Sequence, residues 1–291
     1  MSYLSIDIGG TYIKYALLDD KVNLTHHGKV HTPVNQNNAI VSEVKSIIIK
    51  YKEQFAVSGV GISTAGIVNR EKGEIIYAGP TIQDYKGTNF KQLLADTNLP
   101  IHVENDVNSA LLGERWKGAG RASENFFCVT LGTGIGGAYY HNGLVSGSHL
   151  QANSVGYLLY DPATGTTYEQ RASTSALNAR ILERLGSNWS TREVFHQAKV
   201  GDDTCLDIIH AWGREVAAGL AQIILLKDPE MIIIGGGVSQ QGDFLIEIIG
   251  DHVEEFLPES FMKTEIKVAE LCNHAALYGA VYPFLKNKNI Y

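Results

Sequence analysis

The sequence predicts an α/β protein built from two related lobes, and three observations carry that prediction. Each half opens on a glycine-broken series of short strand-like runs and then passes to helical periodicity and a buried strand-like run, the alternation expected of a sheet covered by helices. The 291 residues are 44% hydrophobic and only 19% charged, enough apolar mass for one large or two modest cores. Glycine is abundant, 30 residues against 7 prolines, which points to tight turns rather than to a disordered or collagen-like chain.

Tyr3 to Ile8 and Tyr12 to Leu18 read as two strands joined by the Gly9-Gly10 turn, with a third strand over Val22 to Val30. A helix is predicted from Ala39 to Tyr51, where Ile40, Val41, Val44, Ile47 and Ile48 share one face. Val57 to Ile62 reads as a buried strand, and a short strand over Ile101 to Val103 precedes a helix ending near Gly118. Phe126 to Leu131, Gly137 to Tyr140 and a run near Val145 repeat the meander. Helices are predicted over 173–185 and 205–227, a buried strand over Met231 to Ile234, and a final helix over Ala276 to Leu285. Residues 1–117 are expected to form one lobe and 118–275 the other, with the boundary near Trp116 to Arg121 and residues 276–291 completing the first lobe.

Lys and Arg number 24 and Asp and Glu 31, a formal charge of −7. An acidic chain without a basic run argues against a nucleic-acid partner, whose phosphates require clustered cations. Cys128, Cys205 and Cys272 are too far apart in sequence for a zinc spacing and odd in number, which suggests inert thiols in a reducing compartment. No stretch reaches the apolar length of a membrane span and the N-terminus lacks a secretory pattern, so a cytoplasmic location without membrane partner is expected.

Three glycine clusters each follow a strand-like run: Asp7-Ile8-Gly9-Gly10-Thr11, Leu131-Gly132-Thr133-Gly134-Ile135-Gly136-Gly137, and Ile234-Gly235-Gly236-Gly237. Without a Cβ, such a turn can bring backbone N–H groups against phosphate oxygens. Taken singly, each also fits an ordinary hairpin. None matches the Gly-Lys-Ser/Thr phosphate loop or a dinucleotide fingerprint. In Val103-Glu104-Asn105-Asp106 the acid and amide fit helix capping, and equally a carboxylate placed to accept a hydroxyl proton.

In order along the chain, the DIGGT, Ser-Thr-Ala-Gly (63–66), END, LGTGIGG, DPEMIIIGGGVS and NHAALYGA segments resemble the ROK family of sugar kinases, from Ile6 to Ala280. The resemblance implies the actin-like ATPase fold, two RNase H-like lobes with ATP and sugar in a central cleft. It implies ATP-dependent phosphorylation of a hexose or hexose derivative on its 6-hydroxyl. Asp106 would be the general base, with Asn105, Ala65 and Gly66 on the sugar side. Asp7 would face Mg²⁺ through water, with Gly9, Gly10, Thr11 and Lys14 along the phosphates. Gly132, Thr133 and Gly134 would hold the other side, and Gly235, Gly236 and Gly237 would lie against adenosine. Lys14 also fits a solvated strand lysine. A homodimer is implied by the resemblance alone.

The chain departs from the family pattern at the Glu-x-Gly-His motif, where Ser154 and Tyr157 stand for the acid and the histidine, and 158–170 contains no cysteine. Structural zinc takes about four N or S ligands, so none is expected. Glu169, in a Glu-x-x-Ala-Ser match, would be the remaining carboxylate for the anomeric end, with Ser154 and Tyr157 beside it. That altered C1–C2 end favours a substituted sugar, a β-glucoside or N-acetylmannosamine, ahead of glucose and fructose. His141 and His149 lack a nearby acidic cluster and do not suggest a metal site. Two other functions are weighed against the kinase: a sugar sensor without catalysis, disfavoured by the presence of Asp7, Thr11 and Asp106, and a repressor, disfavoured because the first motif begins at residue 7.

Overall fold

In the computed structural model, which describes residues 1–79 and 81–286, the chain divides into two compact units. The first unit takes Met1–Arg121, Ser146–Gln151 and the chain from Asn273, and the second takes Ala122–Val145 and Ala152–Cys272.

The first unit begins with β1 (Ser2–Ile8), β2 (Tyr12–Leu18) and β3 (Leu24–His31), an antiparallel meander. The third strand starts at Leu24 rather than at the predicted Val22, because the Asp19 carboxylate accepts from the N–H groups of Lys21 and Asn23 and holds Val22 in a left-handed turn at φ 66°. Next come α1 (Ala39–Gln54), β4 (Val57–Thr64), the small hairpin β5 (Ile67–Asn69) and β6 (Glu74–Tyr77), α2 (Phe90–Leu93), β7 (Ile101–Asn105) and α3 (Asp106–Lys117). In α1 the buried Ile40, Val41, Val44, Ile47, Ile48 and Tyr51 form the apolar stripe expected of a helix lying on a sheet. It runs on past Tyr51 to Gln54, until Phe55 turns extended. The sheet order is β3-β2-β1-β4-β7, with β4 parallel to β1 and β7 parallel to β4.

The second unit repeats this plan. Strands β8 (Asn125–Leu131), β9 (Ile135–His141) and β10 (Leu144–Val145) form the meander. There follow α4 (Tyr168–Ala172), α5 (Thr174–Leu185), α6 (Thr191–Lys199), α7 (Asp203–Lys227), β11 (Met231–Gly235), α8 (Asp243–Glu255) and β12 (Glu265–Val268). Sheet order is β10-β9-β8-β11-β12, with β11 parallel to both β8 and β12. Helix α7 starts at Asp203, two residues before the predicted 205, because Asp202 caps it by accepting from Cys205 N at 2.8 Å. The core of this unit gathers Trp212, Phe195, Tyr168 and the aliphatic faces of α7 and α8, and the Trp212 indole donates to Ala172 O at 2.9 Å.

The chain ends its described part as α9 (Ala275–Lys286), which packs on the first unit's sheet and on α3. Backbone meets backbone there: a Cβ on Gly279 would lie 1.6 Å from Ser109 O, and one on Gly113 would lie 2.1 Å from Ala275 O. Ser5 on β1 donates to Leu277 O at 2.6 Å and fixes the helix along its length. Residues 287–291, part of the predicted C-terminal stretch, lie outside the described residues.

Candidate functional site

Register carries polar side chains to one line across the first sheet. Lys14 on β2 pairs with Asp7 on β1, Asp7 with Ser63 on β4, and Ser63 with Glu104 on β7. Directly paired residues share a face, so a lysine, a carboxylate, a hydroxyl and a second carboxylate stand side by side. Ser63 Oγ donates to Asp7 Oδ1 at 2.9 Å. Burial raises the pKa of Asp7, opposed by that hydrogen bond and by the charge of Lys14. The Gly9-Gly10-Thr11 turn is closed by Gly9 N donating to Tyr12 O at 3.0 Å and pinned by Thr32, whose hydroxyl donates to Gly9 O at 2.6 Å. Gly10 and Thr11 are exposed.

At the end of β7 the strand passes directly into α3, so Asp106 is the first helical residue and Asn105 the N-cap. Asn105 Oδ1 accepts from Val107 N and Asn108 N, while its amide donates to Gly66 O at 2.9 Å and to Asp106 Oδ1 at 2.8 Å. All four hydrogen-bonding positions of the amide are thereby used. In this arrangement Asn105 holds the helix start and orients Asp106. Gly66, at φ 100°, supplies a carbonyl to that network, and Ala65 packs against the unit's core.

Asp106 also accepts from Val107 N at 2.9 Å. Its pKa is pushed up to about 6, first by burial and then by the charge of Asp7, against the hydrogen bonds from Val107 and Asn105. A carboxylate in that range is suited to take and return a proton near neutral pH. Beside it, Tyr85 and Thr64 join hydroxyls at 2.7 Å, and burial raises the Tyr85 pKa.

Sequence reasoning assigned no role to Glu104. It is buried, its Oε1 accepts from Asn105 N at 3.0 Å and from Asn108 Nδ2 at 2.9 Å, and its Oε2 lies 3.1 Å from Arg70 Nε. Glu104 thus braces the turn that carries Asn105 and Asp106. Its alternation with Asn105 along β7 was readable, but its partner Arg70 is distant in sequence.

In the second unit a cavity of about 370 Å³ opens at the ends of β8 and β11. Gly132 and Thr133 line it from the β8–β9 turn, Thr174, Ser175 and Asn178 from one face of α5, Thr191 and Arg192 from the start of α6, and Gly237 with Gln240 and Gln241 from the turn after β11. Hydroxyls, amides, backbone and one guanidinium make up its polar lining, with no carboxylate among the described residues. The predicted glycines divide. Gly132 and Gly237 reach the cavity, whereas Gly235 is buried in β11 opposite Thr130. Gly236, at φ 95°, passes so close to β8 that a Cβ would stand 2.1 Å from Leu131 O.

Gly134 neighbours Glu169. A Cβ on Gly134 would meet Glu169 Oε2 at 2.6 Å, and one on Gly156 would meet the same oxygen at 2.9 Å. Glu169 Oε2 accepts from Ile135 N at 3.1 Å, which leaves Oε1 without a partner among the described residues. Ser154 precedes, and Tyr157 closes, a 3-10 turn next to this carboxylate, and both are exposed. His141 and His149 are exposed, and among the described residues no group of three or more His, Cys, Asp or Glu side chains is gathered to hold a metal.

The chain is thus a doubled α/β protein with an Asp at a helix start in the first unit and a glycine-lined cavity in the second. The chain belongs to the ROK family, whose model matches residues 3–287. It is 32% identical over 305 residues to a β-glucoside kinase of Listeria monocytogenes, covering 99% of each chain. Among solved structures it resembles a ROK family protein of Streptococcus pneumoniae in complex with sucrose, with 31% identity, TM-score 0.88 and full coverage of both chains. It also resembles a ROK family glucokinase of Streptomyces griseus in complex with glucose and AMPPNP, with 29% identity, TM-score 0.81 and coverage of 96% and 98%. The actin-like ATPase fold of these sugar kinases is its fold. Among the described residues no helix is long and apolar enough to cross a membrane.

Proposed function

We propose that the chain is an ATP-dependent kinase that phosphorylates the 6-hydroxyl of a sugar substituted at C1, a β-glucoside, with Asp106 as general base. One observation carries the reading: the Asp106 carboxyl, fixed at the start of α3 by Asn105 and Val107 and raised to about 6, has the position and proton affinity that accepting a hydroxyl proton requires. The β-glucoside kinase relative and the sucrose-bound neighbour point to a glycoside rather than to a free hexose. Replacement of the family's Glu and His by Ser154 and Tyr157 points the same way. That change also makes a C2-substituted sugar, N-acetylmannosamine, the second candidate.

The residues present fit the groups that the family uses. A polar cavity without a carboxylate suits a nucleotide polyanion, and two neighbouring carboxylates, Asp7 and Asp106, the first of which raises the pKa of the second, suit a divalent cation. When bound, the magnesium nucleotide supplies the phosphoryl group and neutralises its charge. Asp106 accepts the hydroxyl proton on its carboxylate. Asn105 keeps that carboxylate in one rotamer, and Glu104 holds the turn under both. Lys14, opposite Asp7, moderates the negative charge of the row. Glu169 accepts sugar hydroxyls on Oε1. Catalysis on this scheme is positioning and charge placement.

The chain is proposed to work without zinc, since 158–170 has no cysteine and Tyr157 stands where a histidine ligand would. Instead, Arg171 ties the loop together through Leu159 O and Thr166 O. A cytoplasmic homodimer is the matching expectation for a member of its family. ADP release measured over glucose, fructose, methyl β-glucoside, cellobiose and N-acetylmannosamine tests the reading. Highest kcat/KM on a β-glucoside supports it, and ADP release with none of the sugars overturns it in favour of a sensor.

A further inference from the structure

Arg70 follows the short strand β5 and reaches the buried Glu104 on β7. Its Nε lies 3.1 Å from Glu104 Oε2, an ion pair without the alignment of a hydrogen bond. Its Nη2 donates to the hydroxyl of Ser146. The backbone beneath the guanidinium is fastened as well: Lys91 Nζ, on α2, donates to Arg70 O at 2.8 Å and to Glu71 O at 2.9 Å, and Asn69 Oδ1 accepts from Lys72 N at 3.1 Å. Ser146 is the first residue after β10 and opens Ser146–Gln151, a stretch that belongs to the first unit while the chain on either side of it belongs to the second. That stretch is shaped by a turn, with Gly147 at φ 73°, Leu150 at φ 61° and Leu150 N donating to Gly147 O at 3.4 Å.

Glu104 is 2% exposed, and a carboxylate removed from water stays charged only when it is paired. Burial raises its pKa, and the charge of Arg70 is foremost among the influences that oppose the rise. Glu104 accepts from Asn105 N at 3.0 Å and from Asn108 Nδ2 at 2.9 Å, and Asn105 in turn donates to Asp106 Oδ1 at 2.8 Å. An ionised acceptor makes such bonds roughly twice as strong as a neutral one. Arg70 therefore stands at the far end of a continuous run of contacts that ends on the Asp106 carboxyl. We propose that Arg70, seated on Ser146, is a positioning residue for phosphoryl transfer: it holds Glu104, and through Glu104 and Asn105 it fixes where the Asp106 carboxyl stands. This deepens the reading of the chain as a sugar kinase and rests on it. Arg70 acts through other side chains rather than on the reacting atoms, so its effect falls on kcat and not on ground-state binding.

Steady-state ADP release by the full chain, with ATP and the most active sugar of the panel varied in turn, tests the assignment on variants checked for folding by thermal melts. Arg70→Ala should lower kcat about ten- to hundredfold, the cost of a slightly misplaced base, and leave the KM values for sugar and ATP within about twofold. Arg70→Lys keeps a cation facing Glu104 and should recover most of that kcat. Ser146→Ala should lower kcat about two- to tenfold, the worth of one hydrogen bond. Because Arg70 acts through Glu104, the double variant Arg70→Ala/Glu104→Gln should lose no more kcat than Glu104→Gln alone. That double variant removes both charges together, so the comparison survives even where Arg70→Ala, with a bare buried carboxylate, fails to fold. Wild-type kcat in Arg70→Ala, or losses that add in the double variant, overturns the role of Arg70 and leaves the kinase reading standing. A wild type that releases no ADP with any sugar overturns the kinase reading and this inference with it.

Discussion

Asn105 gives one amide hydrogen to Asp106 Oδ1 at 2.8 Å while its own Oδ1 caps α3. The two functions can be separated. Asn105→Ser keeps a good cap but loses the donor to Asp106, so it should melt near wild type and lose at least about tenfold in kcat. Asn105→Ala loses both and should also drop about 1 kcal/mol of stability. Denaturant unfolding beside steady-state kinetics reads the two effects, and an Asn105→Ser enzyme with wild-type kcat would show that the amide does not orient the base.

Asp106 sets an acid limb. Its carboxyl must be ionised to accept a proton, so kcat/KM should fall as pH drops through about 6. Stability runs the other way. The folded chain holds this proton up to about 6 and the unfolded chain only to about 3.8, so the folded state carries more protons between those values and loses stability as pH rises through them. Asp106→Asn removes this cost. It should be more stable than wild type at a pH of about 7.5, by on the order of 1 to 3 kcal/mol, and the difference should vanish below about pH 4. Thermal melts at both pH values check the sign.

Gly236 and Gly237 are adjacent and should respond oppositely. An added methyl at Gly236 meets Leu131 O at 2.1 Å on a left-handed backbone, whereas at Gly237 nothing lies within 4 Å. Gly236→Ala should therefore destabilise the chain by several kcal/mol, on the order expected for strain plus backbone overlap. Gly237→Ala should melt within about 0.5 kcal/mol of wild type and raise the KM for ATP by filling the cavity. Equal melting of the two variants would contradict the packing described for the turn after β11.

Glu169 is held between two glycines. Glu169→Gln keeps an acceptor for Ile135 N but removes the charge, and the KM for the sugar should rise about ten- to hundredfold, the size of a charge-assisted hydrogen bond. Gly156→Ala should reproduce part of that loss by pushing the carboxylate from its seat, with the KM for ATP little changed. A sugar KM unaffected by Glu169→Gln would remove the residue from the sugar site.

Much of the fold was legible because its signals are local. The Gly9-Gly10 hairpin, the apolar stripe of α1 and the buried run of β11 announce themselves in a few residues. Helix α6 did not, being short, although the Ser190-x-x-Glu193 capping box that starts it was readable. Strand β12 is a four-residue edge strand with one buried side chain, Ile266, too little pattern to see. Within the site, the sequence pointed to Asp106 through its motif and its place at a helix start. The close approaches of Glu169 to Gly134 and of Leu131 to Gly236 were not legible, because a glycine that lets a ligand approach and one that lets another strand or a carboxylate approach look alike until the third dimension is known. The Glu104–Arg70 and Arg171–Leu159 contacts depend on register and loop closure, which no local pattern encodes.

The most direct measurement is ADP release with cellobiose and ATP at a pH of about 7.5, above the Asp106 pKa, for wild type and Asp106→Asn, both confirmed folded by melting. Wild type should turn over, and the variant should lose about 10²–10⁴-fold in kcat while remaining the more stable protein. Undiminished turnover by Asp106→Asn would contradict the assignment of Asp106 as the base.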